Sequence, residues 1–113
     1  MKINTRKEEG VTVLELVGKL AIGDGDVELR DHVREELERG ADKLLLDLQG
    51  IKVMDSSGLG ELIRCKATCD TRGVVIKLLH VEDKVKDVLE MTRLIGIFET
   101  FNDPIDAIAS FRG

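Results

Sequence analysis

Two short, almost unbroken apolar runs constrain this chain more than any other feature. They are Lys43-Leu-Leu-Leu-Asp-Leu48 and Val74-Val-Ile-Lys-Leu-Leu79, and between them Leu59, Leu62, Ile63 and Ala67 recur at helical spacing. A run that is apolar at successive positions reads as a strand covered on both faces. Two such strands joined by an amphipathic helix lie parallel, because a parallel connection needs a crossover of a dozen or more residues. The middle of the chain is therefore a strand–helix–strand unit.

The rest extends that unit in both directions. Val11-Thr-Val-Leu-Glu-Leu-Val17 is dense in β-branched and apolar residues, and the turn residues Glu8–Gly10 precede it. The first twenty residues thus read as an antiparallel hairpin. Gly23-Asp-Gly-Asp26 is a loop in which either aspartate could cap a helix, and Leu29, Val33 and Leu37 carry that helix to Gly40. A turn is expected at Gln49–Gly50, followed by the short extended stretch Ile51–Met54, and Arg72–Gly73 breaks the next helix. Val85, Val88, Leu89 and Thr92 mark a short helix, Ile95–Phe101 reads as extended or irregular, and Asp103-Pro104 opens a last helix bearing Ile105, Ile108, Ala109 and Phe111. The order is β-β-α-β-α-β-α-(β)-α. It predicts one α/β domain over residues 1–113, a mixed sheet of four to five strands with about four helices. Leu62 and Ile63 are both expected in the core.

Composition removes several classes of function. The formal net charge of −5 and pI near 5.1 disfavour nucleic acid and anionic membrane as partners. No apolar run approaches the roughly 20 residues that span a bilayer, and Lys2, Arg6, Lys7, Glu8 and Glu9 leave no signal-peptide core near Met1. A cytoplasmic domain without membrane insertion is expected. Cys65 and Cys69 sit one helical turn apart, too far for a disulfide, and with His32 and His80 remote in sequence they form no zinc pattern. They read as small apolar residues, buried or half-buried, and no cofactor or metal is expected. Gly23-Asp-Gly-Asp26 lacks the ligand series of a calcium loop.

Chemistry concentrates in Val53-Met-Asp-Ser-Ser-Gly-Leu-Gly60, where an acid, two hydroxyls and two glycines meet a helix start. One reading is an ordinary cap, with Asp55 or Ser56 as N-cap. The other is an exposed hydroxyl beside unpaired backbone N–H groups, able to take a phosphoryl group or to hold a phosphate in its loop. Gly58 and Gly60 would let a partner's backbone approach closely. A hydrolase is disfavoured because neither histidine is placed as a base for Ser56. Ile63 stands where a dinucleotide fingerprint needs its third glycine.

Met54-Asp-Ser-Ser-Gly-Leu-Gly60 resembles the signature of bacterial anti-sigma factor antagonists, which are built on the STAS domain. Gly18 and Leu20 fall where that family's second strand ends. Leu44-Leu-Leu-Asp-Leu48 matches the strand before the signature, Arg72-Gly73 the break after it, and Leu89–Phe98 the segment leading to the terminal strand. The resemblance implies a switch, not an enzyme. Its phosphorylated serine would be Ser56, with Ser57 the second choice. Asp24, Asp26, Asp55, Ser56, Ser57, Gly58, Leu59 and Gly60 would meet the partner. The implied partners are an anti-sigma factor with serine kinase activity and a PP2C-type phosphatase, and the free protein is expected to be monomeric. The alternative is a STAS scaffold subunit, never phosphorylated, in a transport or stress-sensing complex. Two departures stand out. The family's acidic run after the second strand is Gly18-Lys-Leu-Ala21 here, which makes Asp24 and Asp26 its displaced acids, and Arg93 replaces the glycine of a Thr/Ser-Gly-Leu turn.

Overall fold

The structure, a computed structural model, describes residues 1–112. Strands β1 (Lys2–Glu8) and β2 (Val11–Leu20) form the antiparallel hairpin. Helix α1 (Asp26–Glu38), strand β3 (Lys43–Met54), helix α2 (Ser56–Thr71), strand β4 (Val75–Leu79), helix α3 (Asp83–Met91), strand β5 (Thr100–Phe101) and helix α4 (Pro104–Ala109) follow. The sheet order is β1-β2-β3-β4-β5, with every pair after the hairpin parallel. A 3-10 turn at Ile95–Ile97 precedes β5, so the stretch expected to be irregular resolves into these two short elements.

Successive crossovers move one strand over in the same direction, which places α1, α2 and α3 together on one face. Their residues Leu29, Val33, Leu62, Cys65, Val85 and Leu89 pack with Leu14, Leu16, Leu44, Leu46 and Leu78 as the main core. The opposite face is covered by α4 and the residues that follow it, where Ala107, Ile108 and Phe111 rest on Val11, Val13, Leu45 and Leu79. Lys77, which interrupts an apolar run, is buried there. Its ammonium donates to Ser110 O and Oγ at 3.0 Å and lies 4.6 Å from the centre of the Phe111 ring.

Several local expectations need correction. No turn occurs at Gln49–Gly50: β3 runs unbroken to Met54, and its pairing with β2 shifts register between Glu15 and Val17 and again between Gly18 and Lys19. Gly50 serves close approach, since a Cβ there would stand 2.7 Å from the Leu16 carbonyl oxygen. Neither Asp24 nor Asp26 caps α1. Gly25 does, at φ 95°, and its N–H donates to Glu28 Oε2 at 2.9 Å. Leu62 is fully buried, whereas Ile63 packs against the core only in part. Arg93 keeps the left-handed φ of 60° that a glycine would adopt with less strain.

Both thiols are free and buried. Burial pushes the Cys65 thiol up to about 12 and the Cys69 thiol up to about 11. Nucleophilic attack requires the thiolate. At pH 8 the native protein should therefore be alkylated by iodoacetamide roughly a hundredfold more slowly than the unfolded chain, followed by mass spectrometry. Equal rates would mean that the thiols are not buried as described.

Candidate functional site

The site forms where the end of β2 meets the start of α2. Asp55, in extended conformation, is the N-cap: its Oδ1 accepts from Gly58 N at 2.9 Å. Its other oxygen accepts from Ile22 N at 3.1 Å, and its own N–H donates to Leu20 O at 3.3 Å. One carboxylate thus ties the β2–α1 loop to the helix that begins at Ser56. Within that loop, Ala21 and Asp24 exchange backbone hydrogen bonds at 2.8 and 3.0 Å.

These bonds have an electrostatic consequence. The Gly58 N–H first, and the Ile22 N–H second, hold the Asp55 carboxyl below its ordinary value of 3.8. A depressed folded value stabilises the fold above 3.8, and that contribution is lost as pH falls through the folded value. In an NMR pH titration the Gly58 and Ile22 amide signals should move with a shared midpoint below 3.8. Independent midpoints, or one at the ordinary value, would contradict the tie.

The eight residues expected at the partner surface separate into distinct roles. Ser56, the first helical residue, is exposed, and Ser57 is half-buried behind it. Asp24 is exposed, while Asp26 is half-buried and its Oδ1 accepts from Val27 N at 2.9 Å. Asp55 is half-buried, with both carboxylate oxygens engaged inside the molecule. Gly58 and Leu59 are inside: a Cβ on Gly58 would lie 1.9 Å from Leu20 O, and the Leu59 side chain is buried in the main core. Their presence in the signature has an internal packing reason. Gly60 has nothing within 4 Å of where its Cβ would be, so open space lies beside it.

One surface feature escaped the sequence reasoning. Ile22 is 74% exposed in the loop that Asp55 holds, and Val27 and Val53, on the adjoining ends of α1 and β3, are exposed as well. A lone β-branched residue between Ala21 and Gly23, in a loop otherwise made of Gly and Asp, was the available signal. The two histidines are engaged elsewhere, His32 Nε2 with Thr5 Oγ1 at 2.7 Å and His80 Nδ1 with Asp47 Oδ1 at 2.9 Å. Among the described residues there is no cluster of three or more groups able to hold a metal, and no helix is long and apolar enough to cross a membrane.

This architecture, with its Asp-Ser-Ser-Gly helix start, coincides with a known family. The sequence model of the STAS domain matches residues 2–107, and the chain belongs to that family. It is 25% identical over 109 residues to an anti-sigma F factor antagonist of Paenibacillus polymyxa, covering 96% of this chain and 92% of the relative. Among solved structures, a candidate anti-sigma factor antagonist from Thermotoga maritima superposes with a TM-score of 0.89 at 23% identity, over 98% of this chain and 95% of the other. The Bacillus cell fate determinant SpoIIAA in its phosphorylated form superposes with a TM-score of 0.74 at 18% identity, over 98% of this chain and all of the other.

Proposed function

We propose that this chain is an anti-sigma factor antagonist switched at Ser56. Unphosphorylated, it binds an anti-sigma factor that is also a serine kinase and so frees a sigma factor. Phosphorylation of Ser56 ends the complex, and a PP2C-type phosphatase restores it. The observation that carries this reading is the exposed Ser56 hydroxyl at the start of α2, beside an exposed loop fixed by Asp55. The name of the Paenibacillus polymyxa relative supports it.

The physics is compatible with such a cycle. A phosphoryl group adds about −1.5 to −2 charge next to Asp55, while the helix N-terminus tolerates an anion. Release then needs no change of fold. Bulk and repulsion in the interface suffice, since a tenfold loss of affinity is only about 1.4 kcal/mol.

The test is calorimetric titration against the anti-sigma factor encoded in the same genome. The parent should form a one-to-one complex, and Ile22→Asp should weaken it about tenfold or more, since an apolar anchor becomes a charge. Circular dichroism should show the variant folded. Undiminished affinity would remove the loop from the interface, and no complex with any such factor would end the proposal.

A further inference from the structure

A second site lies on the helical face, between α1 and α2. The two helices flank a half-open cavity of about 310 Å3 with Val33, Leu37 and Cys65, all buried, at its floor. Four arginines also line it, Arg30 and Arg34 from α1 and Arg64 and Arg72 at α2 and its end. Positive charge is concentrated here in a molecule whose formal net charge is −5. Arg30 reaches Asp31 only at 4.0 Å, and Arg34 and Arg72 make no ion pair among the described residues.

Glu61 supplies an independent observation. It lines the same cavity, and its side chain is only 1% exposed. Its Oε2 accepts from Arg64 at 3.0 Å, whereas its Oε1 is buried without a hydrogen-bond partner. A buried unpaired carboxylate oxygen is costly, and packing alone would be served by a leucine of similar size. The apolar wall, the basic lining and the unpaired Glu61 oxygen set behind it together describe complementary chemistry, and the Thr68 hydroxyl lines the cavity as well. The cavity sits at the small end of the range for small-molecule sites.

We propose that this α1–α2 cavity binds a small organic anion: a flat apolar body against Val33, Leu37 and Cys65, an acidic group on Arg34 and Arg72, and an N–H donor on Glu61. The site is separate from the Ser56 loop and does not depend on the role given to it.

Indole-3-propionate carries all three features and is the probe. Amide shifts of the full chain would be followed on titration with it, with 3-methylindole, which lacks the acid, and with 3-phenylpropionate, which lacks the N–H. Saturable shifts should be confined to Arg30–Leu37 and Glu61–Arg72, and each truncated probe should bind about tenfold more weakly. Arg34→Ser with Arg72→Ser should weaken indole-3-propionate about tenfold and leave 3-methylindole unaffected. Glu61→Leu should abolish the preference for the N–H probe and raise the Tm, because it removes the unpaired acceptor. Absent shifts at millimolar probe, shifts elsewhere, or equal binding by the arginine variant would overturn the proposal. A Glu61→Leu variant that keeps the N–H preference would also overturn it.

Discussion

Gly58→Ala should destabilise the fold by about 3 kcal/mol or more, the upper end of what overpacking costs, whereas Gly60→Ala should stabilise it by about 0.5–1 kcal/mol. The two glycines are two positions apart in the same helical turn and differ only in what surrounds them. A Cβ at Gly58 would meet Leu20 O at 1.9 Å and Leu20 C at 2.6 Å, and these are backbone atoms at the end of a central strand. They cannot swing aside as a side chain can. Relief requires α2 to lift away from β2, which would also break the bonds that join Asp55 to Leu20 O and to Ile22 N. At Gly60 an alanine meets nothing within 4 Å and gains helix propensity. Urea unfolding of both variants measures the pair. Equal effects would mean that the helix does not dock on Leu20 as described. If Gly60 faces the partner, its alanine variant should be more stable yet bind more weakly, a combination that simple destabilisation cannot produce.

Ser56→Glu should lower affinity for the anti-sigma factor by tenfold or more, about 1.4 kcal/mol, while leaving Tm unchanged or slightly raised. Ser56→Ala should bind like the parent. The sign of the stability effect is the informative part. A carboxylate in the first turn of α2 is favoured by the helix dipole by about 0.3–1 kcal/mol, and the Ser56 side chain is exposed. Any loss of binding by Ser56→Glu would then arise in the interface. Calorimetry and thermal melts on the same samples separate the two contributions. Weakened binding together with a lowered Tm would point to damage at the helix start instead of a switch.

Much of the fold was legible because its signals are local. The apolar runs at Lys43–Leu48 and Val74–Leu79, the periodic faces of α1 and α2, and the Asp103-Pro104 cap each depend on near neighbours in sequence. The Asp103 cap formed as expected, with Oδ1 accepting from Ile105 N at 2.7 Å. What escaped depends on contacts far apart in the chain. Gln49-Gly50 has the composition of a turn, but Gly50 is there because the Leu16 carbonyl of the neighbouring strand lies against it. Gly58 reads as room for a partner, yet Leu20 of the same chain fills that room. Asp24 and Asp26 are better side-chain caps than glycine, but the left-handed backbone at Gly25 and the reach of Glu28 decided the cap. At the candidate site, sequence placed Asp55 and Ser56 at a helix start, as the structure has them. It could not show that Asp55 reaches across to Ile22, because the two lie 33 residues apart.

The most direct test of the switch is intact-mass spectrometry of the chain after incubation with ATP and the anti-sigma factor kinase from its own genome, with Ser56→Ala alongside. The proposal predicts the mass gain of one phosphoryl group in the parent and none in Ser56→Ala. A gain in both would move the modified residue away from Ser56. A stable complex with no gain in either would contradict the switch and favour a scaffold that is never phosphorylated.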